Sequence, residues 1–351
     1  MTYRKLRHAL CTARRGLGLS AMAATSALYP LTPWAQTPAT NSGQPASTGV
    51  AQAYPNKSVR YVVPFGAGAA PDTVARLLGD RLTRQWGQQV IVENRVGVAG
   101  TLGAGFVAKS APDGYTLLQC NIASNATSPL LYSKTPYDGL CDFVPITRIG
   151  TTPNILTAHP SVPIRTIGEF ITYAKAHPRT LTYSAGLAGE SPQLSMEFLK
   201  LATTMDVAHI PYKVAAQGIS DTIGGQIPFN SANLPSVVVH VQSGRLRGLA
   251  VTSAKRASQI PHVPTIQESG VARYEVNSWY GLCAPANTPV AITDKLYADF
   301  TAVLRTPDIQ QRLDDLGITT SPMTSADFEQ FIRAEITRWA KVIKEAGIPQ
   351  Q

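Results

Sequence analysis

The amino-acid sequence predicts an α/β protein of two lobes, and two observations carry this prediction. Short apolar strands alternate with amphipathic helices from Val59 to Cys120, and a second run of the same kind extends from Thr166 to Thr252. Strands that alternate with helices form parallel sheets with right-handed crossovers. Two such runs, followed by a helical return at the end of the chain, favour two lobes with a cleft between them.

The first run starts with an apolar strand at 59–64. The helix after it opens at Pro71-Asp72, places Val74, Leu78 and Leu82 on one face, and stops at Gly87. Strands are expected at 90–92 and 115–120, with a helix after the glycine-rich loop between them. This order predicts the first parallel sheet.

The second run repeats the scheme. Its predicted helices are 166–176, 192–202, 215–224 and 237–242, and its predicted strands are 181–184, 207–211, 226–230 and 246–252. Amphipathic helices are then expected at 292–304, 307–316 and 326–346.

Composition limits the classes of protein that the chain can be. Its 351 residues suffice for about two domains of ~150 residues each. Charged residues make up 15%, below the ~25% of an average globular chain, which argues against a nucleic-acid surface. The net charge is +9, but without the five basic residues among the first fifteen, 26 basic residues face 22 acidic ones. The mild positive field that remains suits an anionic small molecule.

The first 53 residues are typical of an exported protein. A basic segment precedes an apolar stretch from Gly16 to Leu31 that is too short for a membrane span, so residues 1–35 are predicted to be a signal peptide. The Arg14-Arg15 pair leaves both twin-arginine and general export open. Residues 36–53 are rich in small and polar residues and predict a flexible linker. We therefore expect a soluble periplasmic protein.

Three cysteines remain after the predicted signal peptide: Cys120, Cys141 and Cys283. A Cys120–Cys141 disulfide and buried reduced thiols are both compatible with the sequence. The cysteine and histidine spacings match no metal-site pattern. Neither a metal nor a cofactor is expected.

Two loops are candidates for the ligand site. The segments 65–72 and 184–193 each follow a strand, contain glycine and alanine, and lead into a helix. Ligands of open parallel sheets lie beyond the carboxyl ends of the strands. The amide groups at a helix N-terminus favour an anion, so a carboxylate is the expected guest. Asp72 is either the cap of the first helix or a ligand contact, and the two roles are compatible.

Many short motifs occur in an order that resembles the Bug family, the extracytoplasmic receptors of tripartite tricarboxylate-type transporters. They include Val62-Val63-Pro64-Phe65, Val92-Glu93-Asn94-Arg95, Ala111-Pro112-Asp113-Gly114-Tyr115, Pro136-Tyr137-Asp138, His209-Ile210-Pro211-Tyr212-Lys213, Asn233-Leu234-Pro235-Ser236 and Val263-Pro264-Thr265. The likeness covers residues 54–348, nearly all of the predicted mature chain.

The resemblance implies a two-lobed type II periplasmic-binding-protein fold, a Venus flytrap. Lobe 1 would comprise 54–156 and 280–351, and lobe 2 would comprise 157–279. It also implies a monomer that binds a small organic acid or amino acid and presents it to membrane transporter subunits, with no nucleic-acid partner. Carried over by position, the ligand-binding residues are Phe65, Gly66, Ala67, Gly68, Ala69, Ala70, Asp72, Asn121, Ser184, Ala185, Gly189, Glu190, Ser191, Gln193 and Asn233.

The sequence departs from the family pattern within these loops. Pro71 removes one amide donor from the first loop. In the second loop Glu190 stands at a small hydroxyl position and Gln193 at a histidine position. A glutamate facing the cleft would repel a second carboxylate. We therefore expect a monocarboxylate, an amino acid or an aromatic acid rather than a common dicarboxylate.

The sequence leaves three rival functions to compare with a receptor. A sensor of the same fold without a transport role stays open. A dinucleotide-dependent enzyme is favoured by Gly66-x-Gly68 after a strand, but Pro71 occupies the third glycine position of that fingerprint. A hydrolase would need a nucleophile elbow, which the loops around Ser184 and Ser191 do not form. His209 is expected to be a packed core residue, and no catalysis is predicted.

Overall fold

The computed structural model describes residues 54–351, so the predicted signal peptide and linker lie outside the described residues. The strands are β1 Val59–Val63, β2 Val90–Asn94, β3 Thr116–Asn121, β4 Phe143–Ala158, β5 Thr182–Ala185, β6 Ala208–Pro211, β7 Phe229–Asn233, β8 Arg247–Val251, β9 Asn277–Pro285 and β10 Thr319–Thr320. The α-helices are α1 Ala70–Trp86, α2 Thr101–Ala108, α3 Ser128–Leu131, α4 Ile167–Ala176, α5 Ser191–Thr203, α6 Ala215–Ile223, α7 Leu234–Gln242, α8 Val290–Leu304, α9 Pro307–Asp315 and α10 Ser325–Glu345.

The first sheet has the strand order β2-β1-β3-β9-β4, with β10 added to β4. β1 is parallel to β2 and β3, as the alternation of strands and helices predicts. β9 is antiparallel to both β3 and β4, so the sheet is mixed rather than purely parallel. The apolar faces of α1 and α8 pack on it in one buried cluster.

The second sheet is built around β5, which is parallel to both β6 and β7. The last residues of β4, from Asn154 to Ala158, pair antiparallel with β7 and β8. This sheet is therefore also mixed. Its strands β7 and β8 pair with the C-terminal end of β4, a strand that begins in the first sheet.

Strand β4 is shared by the two sheets and is absent from the predicted strands. Its residues up to Pro153 pair with β9, whereas those from Asn154 pair with β7 and β8. Pro145, Gly150 and Pro153 interrupt the apolar pattern that identifies a strand. The ladder shifts register next to Pro145 and Gly150, which is how a long strand accommodates such residues.

The chain passes between the sheets a second time at the start of β9, where Asn277 is the register partner of Pro153. Strand β4 changes its partner after Pro153, three residues before the predicted lobe boundary at 156/157. Strand β9 begins at Asn277, three residues before the start of the returning lobe 1 at 280. The boundaries themselves stay a prediction.

Helix α1 shows how closely local sequence sets an element. Val74, Leu78 and Leu82 are fully buried, as their spacing predicts. Gly87 ends the helix in the left-handed region at φ 62°, and its amide donates to the Thr83 carbonyl at 3.0 Å. The N-cap is Ala69, so the expectation that Asp72 occupies the cap position is wrong.

A disulfide joins Cys120 of β3 to Cys283 of β9. Leu118 is the register partner of Cys283, so the two cysteines are diagonal neighbours on one face of the sheet, with 5.8 Å between their Cα atoms. The alternatives of a Cys120–Cys141 bond and of a reduced Cys120 are both wrong. The sequence could not give this pairing because β9 was not recognised as a neighbour of β3.

Between residues 54 and 351, no helix has both the length and the apolar character that crossing a bilayer requires.

Candidate functional site

A cavity of about 50 Å³ lies where the loops of the first sheet meet those of the second. Its volume is enough for a few water molecules and well below the ~300–1,000 Å³ of common ligand pockets, so its walls stand close together. The side of the first sheet is lined by Phe65, Ala69, Ala70, Pro71, Asn121, Ile122, Ala123, Ser278 and Tyr280. The side of the second sheet is lined by Gly186, Glu190, Ser191, Pro192, Ala215, Ile219, Asn230, Ser231, Ala232, Asn233 and Ser236.

The first loop brings the N-terminus of α1 to this cavity. The amide of Ala70, the first residue of the helix, has no acceptor among the described residues. Pro71 follows it without an amide hydrogen, as the sequence indicates. This helix end therefore offers fewer donors than a glycine-rich loop would.

Asp72 is buried beneath the first loop and does not line the cavity. Its carboxylate accepts from the Gly68 amide at 2.9 Å, from Arg76 Nε at 3.1 Å and from Asn94 Nδ2 at 2.9 Å. Burial acts to raise the pKa of Asp72, but the hydrogen bonds from Arg76, Gly68 and Asn94 outweigh it and lower that pKa. Asp72 thus stabilises the turn between β1 and α1.

Asn121 ends β3 and points a donor into the cavity. Its Oδ1 accepts from the Ser124 amide at 3.1 Å, which fixes the orientation of the side-chain amide. The opposite atom, Nδ2, is buried and has no hydrogen-bond partner among the described residues. A buried donor without a partner is costly, so this atom favours an acceptor supplied from outside the protein.

Asn230 in β7 presents the complementary group from the second sheet. Its Nδ2 donates to the Ser184 carbonyl at 3.2 Å and to Ser184 Oγ at 2.8 Å. A carbonyl only accepts, so the orientation of the amide is again fixed. Oδ1 is left buried without a partner. Asn230 is not among the predicted site residues, although a polar residue within a buried strand after Phe229 is a usable signal.

Glu190 is the N-cap residue of α5 and lies on the wall of the cavity. Its Oε1 accepts from the Leu187 amide at 3.1 Å, and the side chain is partly exposed. Burial against the cleft walls raises the pKa of Glu190 to about 7, although the hydrogen bond from Leu187 opposes this. The carboxyl group that departs from the family pattern therefore lies on the cavity wall, and its contact with a ligand stays a prediction.

Asn233 and Ser191 meet at the point where β4 enters the second sheet. Asn154 Oδ1 accepts from Asn233 Nδ2 at 2.7 Å, and Asn154 Nδ2 donates to Ser191 Oγ at 2.8 Å. Both predicted residues line the cavity, but Asn233 Nδ2 and Ser191 Oγ are each already hydrogen-bonded to Asn154.

The structure brings seven of the fifteen predicted residues to the cavity: Phe65, Ala69, Ala70, Asn121, Glu190, Ser191 and Asn233. Eight others are not on its walls: Gly66, Ala67, Gly68, Asp72, Ser184, Ala185, Gly189 and Gln193. Among these, the Ser184 hydroxyl is hydrogen-bonded to Thr222 and Asn230. Gln193 Oε1 accepts a hydrogen bond from the Gly189 amide. Ligand contact by any of the fifteen stays a prediction.

Two hydrogen bonds join the second loop to the segment that follows β3. Thr127 Oγ1 donates to the Gly189 carbonyl at 2.6 Å, and the Tyr132 hydroxyl donates to the Ala188 carbonyl at 2.9 Å. The second loop is therefore held against the helical segment that follows β3.

His209 is packed rather than poised for catalysis. Its ring stacks on Tyr183 with centroids 5.2 Å apart, and Nε2 lies 3.0 Å from the Gly186 carbonyl. Burial lowers the pKa of His209 to about 4, so the ring is neutral at pH 7. In residues 54–351, no group of three or more histidine, cysteine, aspartate or glutamate side chains is placed to hold a metal ion.

Comparison with known proteins identifies the family. The sequence profile of the tripartite tricarboxylate transporter family receptor matches residues 74–348. The chain is 33% identical over 302 residues to protein BugT of Bordetella pertussis, an alignment that covers 85% of this chain and 91% of BugT. It is 34% identical over 304 residues to an uncharacterised-family protein of Agrobacterium vitis encoded in the ttuE-ttuC' intergenic region, covering 85% and 88% of the two chains.

Solved structures agree with these matches. Rpa4515 of Rhodopseudomonas palustris, with adipate, has a TM-score of 0.82 and 36% identity, over 84% of this chain and 99% of its own. The periplasmic binding protein BugD has a TM-score of 0.80 and 32% identity, over 85% and 100%. MatC of the same Rhodopseudomonas species, with malate, has a TM-score of 0.78 and 29% identity, over 83% and 100%.

The predicted two-lobed periplasmic-binding-protein fold is thus confirmed, and the chain belongs to the Bug family of tripartite tricarboxylate transporter receptors.

Proposed function

We propose that the protein is an exported periplasmic receptor that captures a small carboxylate-bearing ligand between its lobes and delivers it to a tripartite tricarboxylate-type transporter. The lobes would be 54–156 with 280–351, and 157–279. The relatives Rpa4515 and MatC hold adipate and malate, which supports a carboxylate as the ligand class. The receptor would close by movement of the lobes about β4 and β9, driven by contacts from both sides of the cleft.

The observation that carries the proposal is a pair of hydrogen-bond donors without partners on the first-sheet side of the cavity, which we call the donor side. Asn121 Nδ2 is a buried donor without a partner, and the Ala70 amide lies at the positive end of the α1 dipole. The two donors border the same cavity. Together they offer a carboxylate two hydrogen bonds and a favourable field, without the need for a cationic side chain.

An isosteric change at Asn121 tests this function. Asn121→Asp keeps the shape but replaces the donor with a negative charge, so the affinity for every carboxylate should fall at least tenfold. Asn287→Asp makes the same chemical change at an exposed position and should leave affinity unchanged. Isothermal titration of both variants with succinate, adipate, amino acids and aromatic acids measures this. Equal affinities in wild type and Asn121→Asp would contradict the assignment of the donor side.

The proposal also holds that the protein performs no chemistry on its ligand. The packed, neutral His209 and the engaged hydroxyl groups of Ser184 and Ser191 support this. After prolonged incubation, the bound acid should be recovered with its mass unchanged, which mass spectrometry of the extracted ligand measures. A product that accumulates with time would contradict a pure receptor.

A further inference from the structure

The second-sheet side of the cavity carries two hydrogen-bond acceptors that lack a full set of donors within the described residues. Asn230 Oδ1 is buried without a partner. Among the described residues, Glu190 accepts one hydrogen bond, from the Leu187 amide to Oε1 at 3.1 Å, and forms no ion pair. Both side chains line one cavity of about 50 Å³, so a single small group can approach the two together.

The position of Glu190 is fixed by its surroundings. Its carboxylate packs directly over Gly186, where an added Cβ atom would lie only 2.0 Å from Oε2. Its own backbone amide donates to the Leu187 carbonyl at 3.1 Å, which closes the turn. The carboxylate cannot withdraw towards Gly186, and it stands beside the N-terminus of α5, where the helix dipole would otherwise attract the carboxylate of a ligand.

A ligand must therefore carry different hydrogen-bonding groups at its two ends. The end near Asn121 and Ala70 needs an acceptor, and the end near Glu190 and Asn230 needs a donor. A second carboxylate at the latter end would face a carboxylate and an amide oxygen, both of them acceptors. An ammonium group has three donors and a positive charge, so it can serve both acceptors, whereas a hydroxyl group has a single donor.

We propose that this receptor is specific for zwitterionic amino acids, whose carboxylate binds at Asn121 and whose ammonium group binds between Glu190 and Asn230. This inference rests on the proposed receptor function and names the ligand class of the same cleft. The Glu190 side chain is the residue that decides between an amino acid and a dicarboxylate.

The ionisation of Glu190 should make this selectivity depend on pH. Amino acids need the ionised form of Glu190, so their binding should tighten as pH rises through about 7, the pKa to which burial raises this group. Four other titratable groups close to the cleft keep their charge at pH values around 7. Burial raises the pKa values of Tyr132 and Tyr280 and lowers that of His209 to about 4. The hydrogen bonds to its carboxylate lower the pKa of Asp72.

The test uses acids matched in carbon number. Wild type and Glu190→Gln are titrated calorimetrically with alanine, β-alanine, propanoate and malonate, then with 4-aminobutanoate, butanoate and succinate, and then with 6-aminohexanoate, hexanoate and adipate. Wild type should bind an amino acid at least tenfold more tightly than the dicarboxylate of the same set at pH 8. Glu190→Gln should reduce that ratio below threefold, since the amide has no charge to attract ammonium or to repel carboxylate.

Glu345→Gln provides the matched control on the exposed end of α10 and should keep the wild-type ratio. Circular dichroism confirms that each variant is folded. A dicarboxylate that wild type binds as tightly as the matching amino acid would overturn the inference and leave the carboxylate receptor standing. An amino-acid preference unchanged in Glu190→Gln would also overturn it. If no acid of any set binds to either protein, both the inference and the proposed function fail.

Discussion

Glu190 links the chemistry of the cleft to the stability of the fold. Its pKa is raised from 4.5 to about 7 in the folded protein, because burial penalises the carboxylate. The folded state therefore binds more protons than the unfolded state between these pH values. The contribution of this group is fully present below pH 4.5 and is lost as pH rises to about 7.

We expect the protein without added ligand to become less stable relative to Glu190→Gln as pH rises from 4.5 to 7. Glutamine does not titrate, so the difference in free energy of unfolding between the two proteins should change across this window and stay constant above it. Urea denaturation at half-unit pH steps measures the difference. A gap that is the same at pH 4.5 and pH 7.5 would show that Glu190 has an ordinary pKa.

At the same scale, the sequence located some cleft residues and not others. Asn121 and Glu190 were predicted because the resemblance to the Bug family carries its ligand-binding positions over to the end of β3 and to the loop before α5. Asn230 was missed because it lies within a strand whose neighbours were unknown. Asp72 was identified as important, and its partners Gly68 and Arg76 are each four residues away, but the contact with Asn94 is set by the tertiary structure.

Among the elements, the second loop has an unusual attachment. It belongs to the chain that leads from β5 to α5, yet Thr127 and Tyr132 from the segment after β3 donate to its carbonyl groups. A hydrogen bond of this kind contributes about 0.5–1.5 kcal/mol. The attachment therefore helps to keep Glu190 in place on the cavity wall.

Tyr132→Phe should loosen this loop by removing the bond to the Ala188 carbonyl. Hydrogen exchange of the amides in 187–190 should accelerate by about threefold to tenfold, the factor that corresponds to one hydrogen bond. Tyr173→Phe, a change at an exposed tyrosine on α4, should leave these rates unaltered. Protection that is equal in wild type and Tyr132→Phe would mean that Thr127 alone holds the loop.

Helices were predicted well and long strands were not. The bounds of α1, α5 and α9 agree with the sequence analysis within about two residues, since their periodicity and flanking proline or glycine residues are local signals. Strands β4 and β9 were missed because proline and glycine interrupt both, and because their pairing joins residues more than a hundred positions apart. The mixed character of both sheets follows from these two strands.

For the molecule as a whole, the disulfide is the covalent link of longest range among the described residues. Cys120 and Cys283 are separated by 163 positions, so the bond encloses the chain that forms the second sheet. In the chain-entropy account, a cross-link over so long a loop removes much of the freedom of the unfolded chain.

The double variant Cys120→Ala, Cys283→Ala should lower the free energy of unfolding by about 3–5 kcal/mol. Guanidinium denaturation measures this loss, and the variant should still bind its ligand because both cysteines lie behind the cavity wall rather than on it. The single variant Cys283→Ala should lose a similar amount. Wild-type stability that is unchanged in the double variant would contradict a structural role for the bond.

The partnership of Pro153 with Asn277 has a consequence for how such receptors diversify. Because these two residues face each other, β4 and β9 up to this point form a hairpin, and the segment 154–276 is an insertion at its tip. An insertion whose two ends are adjacent can be exchanged as one module without altering the framework that receives it. Grafting the corresponding segment of a relative would replace the wall that carries Glu190 and Asn230 and would retain the wall that carries Asn121. New specificities could thus arise by recombination at two neighbouring junctions.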